Sequence, residues 1–252
     1  MTKDFTLDKY EAFLKTAIAK GYQLVSYQDF LNNDFDKVLI LRHDVDKRPQ
    51  NSLRTAQLQH KLGVKGTYYF RTVPESFDVE VIKQIAALGH EIGYHYEDLT
   101  ICNGDYEKAI IHFEKWLKKL RAFYPVKTVC MHGSPLSKYD NRKLWDKYNY
   151  RDYDLVAEPY FDIDFNKVFY ITDTGRKWDG NKVSVRDKVE SKFDLSFHST
   201  DELIVAFNDE KLPNQMMQNI HPQRWSNNRI EWIQELVLQN IKNSIKKTLF
   251  VK

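Results

Sequence analysis

A parallel α/β architecture is predicted by two observations along this 252-residue chain. Short apolar, β-prone runs alternate with segments of helical periodicity through the first half. The polar residues suited to chemistry fall just after those runs, where the loops of a parallel sheet or barrel converge on one mouth.

Residues 7–20 place Tyr10, Phe13, Leu14 and Ile18 at helical spacing, with Gly21 as the stop. Lys37-Val-Leu-Ile-Leu-Arg42 reads as a buried strand. A helix follows Pro49 and runs through Leu62, closed by Gly63, and Gly66-Thr-Tyr-Tyr-Phe-Arg71 is the second strand. A helix over 78–88 ends at Gly89, and Glu91-Ile-Gly-Tyr-His95 is the third strand. Residues 105–123 form a long amphipathic helix, and Val126-Lys-Thr-Val-Cys-Met131 a fourth strand. In the later half, Leu155-Val156 and the segments 168–171, 193–197 and 216–220 are further strand candidates, and 230–245 a terminal helix. No Gly- or Pro-rich linker divides the chain, so 1–252 reads as one domain with its core over about 37–225.

Hydrophobic residues at 42% suffice for a substantial core and exclude a wholly disordered chain. A net charge of +3, with both signs interleaved, lacks the basic stripe of a nucleic-acid binder, and Lys242–Lys247 reads as a solvated helix face. No apolar run approaches the roughly 20 residues of a membrane span. The first residues lack the apolar stretch of a secretory signal, and Cys102 and Cys130 form no CxxC pair, so the expected location is cytoplasmic. No GxGxxG, Walker loop or GxSxG elbow is present.

Asp44 and Asp46 follow the first strand directly, and their i, i+2 spacing puts both carboxylates on one side of an extended chain, with His43 opposite. Two adjacent carboxylates repel and need a cation or a shared proton between them. The competing reading is a turn whose aspartates cap the helix at Pro49. His95 ends the third strand, with Glu97 two residues on; His90 reads as structural, at a helix end. His132 follows the fourth strand in Met131-His-Gly-Ser-Pro135, where Gly133 and Pro135 mark a tight turn, and His221 follows the run 216–220. His60 and His112 lie inside helical patterns, and His198 is ambiguous.

Strand–Asp-x-Asp, then Gly-His-Glu-Ile-Gly-x-His, then a late apolar run ending in His resembles the NodB-homology polysaccharide deacetylases (carbohydrate esterase family 4), over about Val38 to Trp225. The resemblance implies a distorted (β/α) barrel and a divalent metal, commonly zinc, held by one Asp and two His. It implies Asp44 as the base, Asp46 and His95 as ligands, and His221 as the general acid. The family's second metal histidine falls at Leu99, so the third ligand is open among His132, Glu97 and His43, with His132 preferred. Asp173 is the candidate acidic partner of His221, against a turn aspartate before Gly175. Trp178 and Trp225 are candidates for stacking on a sugar, against the core packing that is the commoner fate of Trp. The implied activity is metal-dependent removal of an acyl group from an amino sugar or glycan precursor. The rivals are an inactive carbohydrate-binding protein on the same scaffold and a C–N hydrolase of a small non-sugar amide.

Overall fold

The computed structural model describes residues 3–134, 136–178 and 189–250. Its strands are β1 (Gln23–Val25), β2 (Val38–Val45), β3 (Thr67–Phe70), β4 (Glu91–Tyr96), β5 (Val129–Met131), β6 (Phe169–Thr172) and β7 (Gln215–Ile220). They form one sheet in the order β5-β4-β3-β2-β7-β6, and every ladder is parallel. Along one edge of β2, β1 pairs with Val38–Ile40 and β3 with Arg42–Val45, while β7 takes the other edge. Among the described residues no ladder joins β5 to β6, so the α/β sheet curls into an incomplete, distorted (β/α) barrel.

The helices are α1 (Leu7–Ala19), α2 (Tyr27–Asn32), α3 (Pro49–Lys61), α4 (Val79–Ala87), α5 (Asp98–Ile101), α6 (Tyr106–Arg121), α7 (Pro159–Asp162), α8 (Thr200–Asn208) and α9 (Arg229–Phe250). Local chemistry sets several of their starts. Thr6, Ser26, Asp78, Asp105 and Ser199 each accept a backbone N–H from the first turn of the helix that follows. Gly89 ends the α4 segment at a φ of 86°, a left-handed conformation that favours glycine.

Alternation along the strands sorts the core into two faces. Tyr68, Phe70, Ile92, Tyr94 and Tyr96 pack with Val81, Ile82 and Ile85 of α4 and Phe113 of α6. Leu39 and Leu41 pack with Phe13 and Leu14 of α1. On the opposite face Val38, Ile40 and Met217 pack with Tyr27 and Ile163, and beside that cluster the face is polar. There Thr67 and Thr128 donate to the buried Glu91 carboxylate, and Tyr69 donates to Thr128 Oγ1 at 3.0 Å. Gly93 makes room for that arrangement, because a Cβ on it would meet the Tyr69 ring at 2.3 Å.

His43 lies on the helix-facing side of β2, as the i, i+2 argument expects. Its ring stacks on Tyr68 at 4.1 Å, donates from Nδ1 to the Thr67 carbonyl (2.9 Å), and accepts from Gln59 at Nε2 (2.7 Å). Burial pushes its imidazole down to about 3, although the Thr67 hydrogen bond opposes that shift. An unfolded histidine titrates near 6.5, so below that pH the unfolded chain binds a proton the folded one refuses. Stability from this residue is therefore complete above about pH 6.5 and is lost as pH falls toward 3, by a few kcal/mol in total. Denaturant unfolding at pH 7 and pH 4 should show a smaller acid loss in His43→Gln than in the wild type; equal losses would refute the assignment.

Several segments depart from the sequence expectation. Residues 193–197 form no strand; Phe193 and Phe197 pack edge-on against Phe169 from an irregular segment. Leu155-Val156 is also not a strand, and only Ala157 makes an isolated bridge, to Thr128. Strand β1 and helix α8 went unread, β1 because three residues carry too little pattern.

Candidate metal centre and active site

The candidate residues converge at the C-terminal ends of β2, β4, β5 and β7. Asp44 closes the polar face of β2 and Asp46 sits one residue beyond the strand. Neither caps α3, whose N-cap is Arg48 without a side-chain cap bond, so the helix-capping alternative is excluded.

Asp46, His95 and His132 bring one ligand atom each to within 4.8 Å of one another. Asp46 Oδ1 lies 3.6 Å from His95 Nε2 and 3.5 Å from His132 Nε2. That oxygen is buried and has no hydrogen-bond partner. Buried carboxylate oxygens are normally satisfied, so an orphaned one facing two imidazole nitrogens marks a place for a cation. Burial disfavours the charge on Asp46, but the facing imidazoles of His95, His132 and His221 hold it well below the usual carboxylate range.

The two imidazoles are oriented from behind. His95 donates Nδ1–H to the Cys130 carbonyl at 2.9 Å, leaving the Nε2 lone pair toward Asp46. His132 Nδ1 is 2.9 Å from Glu97 Oε2 and 3.0 Å from Ser134 Oγ. Glu97 is anchored by Arg71, whose Nε donates at 2.6 Å, and despite burial its carboxyl is lowered to about 2 by His132 and Arg71. A carboxylate behind a histidine in this way fixes the tautomer and raises the basicity of the ligating nitrogen. The structure thus places Glu97 behind His132 and not in the ligand set, and sends His43 to the far face of β2. Leu99, where the family places a histidine, is buried in the core. Pro135 lies outside the described residues.

A second group, Asp44, His95 and Cys130, is also close enough to share a cation. Asp44 is a poor member of it. Arg42 donates Nε to Oδ1 (3.0 Å) and Nη2 to Oδ2 (2.7 Å), and Asn219 donates to Oδ2 (2.9 Å). Burial opposes ionisation of Asp44, but the Arg42 guanidinium and His95 hold its carboxyl far below the ordinary range. The fixed positive charge of Arg42 also repels a second cation there. Asp44 Oδ2 still faces the centre, 3.8 Å from His95 Nε2.

On the opposite side stands His221, with Nε2 3.8 Å from Asp46 Oδ2. Asp173 Oδ1 is 2.6 Å from His221 Nδ1, and Oδ2 accepts the His221 backbone N–H (3.1 Å) and Trp225 Nε1–H (2.7 Å). Arg224 donates to Asp173 Oδ1 at 2.5 Å. Burial would raise the Asp173 carboxyl, but Arg224 and His221 lower it.

Trp178 and Trp225 require correction. Trp225 is fully buried and Trp178 nearly so; both pack with Phe5 and neither lines the cavity. Their indole N–H groups are spent internally, Trp178 on Thr200 and Trp225 on Asp173. The ring of Trp225 supports the site from behind and offers no stacking surface.

A cavity of ≈ 640 Å³ covers the centre, with Asp46, Glu97 and His132 on one side and Glu235, Gln239 and Lys242 of α9 on the other. Among the described lining residues there is no Phe, Tyr or Trp. Four site features went unread in the sequence: the Arg42 clamp, Asn219, Arg224 and the α9 wall. Arg42 and Asn219 were detectable by period, each two residues before a recognised site residue on the same strand face.

Glu97→Gln keeps the shape but removes the charge behind His132. It is expected to weaken divalent-metal affinity by about 10–100-fold, measured by competition with a chelating dye. Unchanged affinity would remove Glu97 from the centre.

No family model matches the chain, and no curated protein matches it. Among solved structures it is similar to a CE4 family pseudoenzyme from Bacillus anthracis (TM-score 0.47, 14% identity, 85% of this chain and 63% of that chain). This chain therefore spans less than two thirds of that protein's chain. It is similar also to the catalytic domain of a peptidoglycan N-acetylglucosamine deacetylase from Eubacterium rectale (TM-score 0.46, 16% identity, 84% and 87% coverage). A CE4 esterase from Streptococcus mutans aligns over 92% of this chain and 91% of its own, with TM-score 0.43 and 16% identity.

Proposed function

We propose that the chain is a metal-dependent hydrolase that removes an acyl group from an amino sugar or glycan precursor. The observation that carries this reading is the orphaned Asp46 Oδ1 facing the Nε2 atoms of His95 and His132, both of which are tethered through Nδ1. Two imidazoles and one carboxylate, with room left on the cavity side, form the donor set of a catalytic zinc site. These residues fit a divalent cation, and zinc is the ion proposed. Such a cation, when bound, lowers the pKa of water and polarises an acyl carbonyl.

The chain's own residues supply the proton transfers. Asp44, kept ionised by Arg42, accepts the proton of the attacking water at Oδ2. His221, held by Asp173 through Nδ1, presents Nε2 toward Asp46 Oδ2 at 3.8 Å and delivers a proton to the departing nitrogen, because an unprotonated amine leaves poorly. The cavity volume is that of a small-molecule pocket, which favours a short precursor over a long polymer.

The test has two arms. Purified protein should hold one divalent ion per chain by elemental analysis, and acetate release from N-acetylated sugar nucleotides or lipid-linked sugars should stop on chelation and return on adding zinc. Absence of metal together with undiminished sugar binding after chelation would favour the non-catalytic binding protein.

A further inference from the structure

Helix α9 carries Glu235, Gln239 and Lys242 at i, i+4 and i+7, a spacing that sets all three on one helix face. All three line the cavity that also holds Asp46 and His132, so Lys242 does not belong to the solvated face its sequence neighbours suggest. Most charges on the cavity wall are matched. Glu97 is taken by Arg71 (2.6 Å), Glu235 by Lys47 (2.7 Å), and Arg224 by Asp173 (2.5 Å). Asp46 faces the two imidazoles. Two charges remain, Lys242 and the exposed Glu75, and Lys242 forms no ion pair among the described residues.

The surroundings of Lys242 are cationic. Lost hydration pushes its ammonium below the ordinary lysine value, and the nearby Lys47 and Arg224 push the same way, against Glu235 and Asp46. Cations gathered within electrostatic reach repel one another unless an anion sits among them. Glu235 is only 3% exposed and already holds Lys47, which leaves Lys242 unmatched. Donors are left over as well. An ammonium has three N–H groups, and Lys47 donates to Glu235 Oε2. Arg224 directs Nη1 to Asp173, while its Nε is buried without a hydrogen-bond partner. A buried donor in that state calls for an acceptor.

We infer that Lys242, with Lys47 and Arg224, binds a phosphate group carried by the substrate. A phosphate offers several oxygens and its own negative charge to point-charge ammoniums, whereas a planar carboxylate is matched best by a single guanidinium fork. The inference rests on the hydrolase reading for the sugar that carries the phosphate. Both sites share one cavity, so the molecule is a phosphorylated acyl-amino sugar rather than a neutral glycan. A sugar phosphate, a nucleotide sugar and a lipid-linked sugar all present this chemistry.

Calorimetric titration of the metal-loaded full chain tests it. N-acetylglucosamine 1-phosphate should bind at least about tenfold more tightly than N-acetylglucosamine, and the preference should fall with added salt. Lys242→Met should remove most of the preference and Lys242→Arg should keep it, with affinity for the neutral sugar unchanged in both. Of UDP-N-acetylglucosamine and a short-chain prenyl-diphosphate N-acetylglucosamine, the tighter binder names the carrier. Equal affinities for the two simple sugars, no binding of the sugar phosphate, or a preference unmoved by Lys242→Met would overturn the inference. A preference abolished by chelation would also overturn it, by assigning the phosphate to the metal ion. N-acetylmuramic acid binding as tightly as the sugar phosphate would reject phosphate as the group recognised. Acetate released equally well from neutral and phosphorylated sugars would sink this inference and leave the hydrolase reading standing; a phosphate preference without acetate release would do the reverse.

Discussion

Asp44→Asn is expected to lower turnover by roughly 10²–10⁴-fold, the range over which positioned acids and bases contribute, while the metal stays bound. The amide keeps the shape of the carboxylate but accepts no proton at neutral pH. Metal retention follows from the geometry, since the orphaned oxygen belongs to Asp46, whereas Asp44 is paired with Arg42 and only faces the centre through Oδ2. A second effect accompanies the first. Arg42 is 1% exposed, and without the Asp44 carboxylate its buried guanidinium loses its ion-pair partner. Breaking one partner out of a buried ion pair costs about 3–5 kcal/mol, so the variant should also unfold at lower denaturant concentration. Chemistry and stability are separated by adding Arg42→Met to Asp44→Asn. Removing the stranded charge should restore most of the stability and none of the turnover. A double variant that regained activity would show that Asp44 matters only as the partner of Arg42. Wild-type turnover in Asp44→Asn would dispose of the base assignment outright.

The same clamp shows where sequence reasoning ran out. Arg42 was visible only as the polar end of an apolar run, yet its position two residues before Asp44 already places it on the same face of β2. Strands β2 to β5 were legible because they are buried on both sides, with an apolar run opening β2 and with Ile92, Tyr94 and Tyr96 spaced two apart along β4. Their ends located Asp44, Asp46, His95 and His132 by the rule that parallel sheets gather their loops at one mouth. Side-chain direction was less accessible. Glu97 and His132 both follow strands and both suit a metal, and only the 2.9 Å contact between them ranks one behind the other. Trp178 and Trp225 were unreadable for a different reason, since an indole fits a core and a sugar platform equally and its sequence neighbours do not say which. The α9 wall lay beyond any local pattern: Lys47 and Glu235 meet across 188 positions of sequence. Helical periodicity identified α9 but not which face it buries, because the buried positions Glu235, Gln239 and Asn243 are polar.

Loss of His221 should depend on the leaving group, and that dependence gives the sharpest test of the acid assignment. His221→Ala leaves Asp46 and the two tethered imidazoles untouched, so metal content should be unchanged. With an N-acetyl substrate the departing nitrogen needs a proton, and kcat should fall by roughly 10²–10⁴-fold. With 4-nitrophenyl acetate the leaving phenolate departs without one, and the fall should be within about tenfold. Asp173→Asn is expected to reproduce this contrast more weakly, because Asp173 acts through His221 by holding its Nδ1 at 2.6 Å. It carries an added cost in stability, since the same carboxylate accepts from Arg224 and from Trp225. Comparing the two substrates within each variant cancels that cost, as any loss of folded protein lowers both rates alike. Equal losses on amide and activated ester would place His221 in binding or folding and take the general acid away from it.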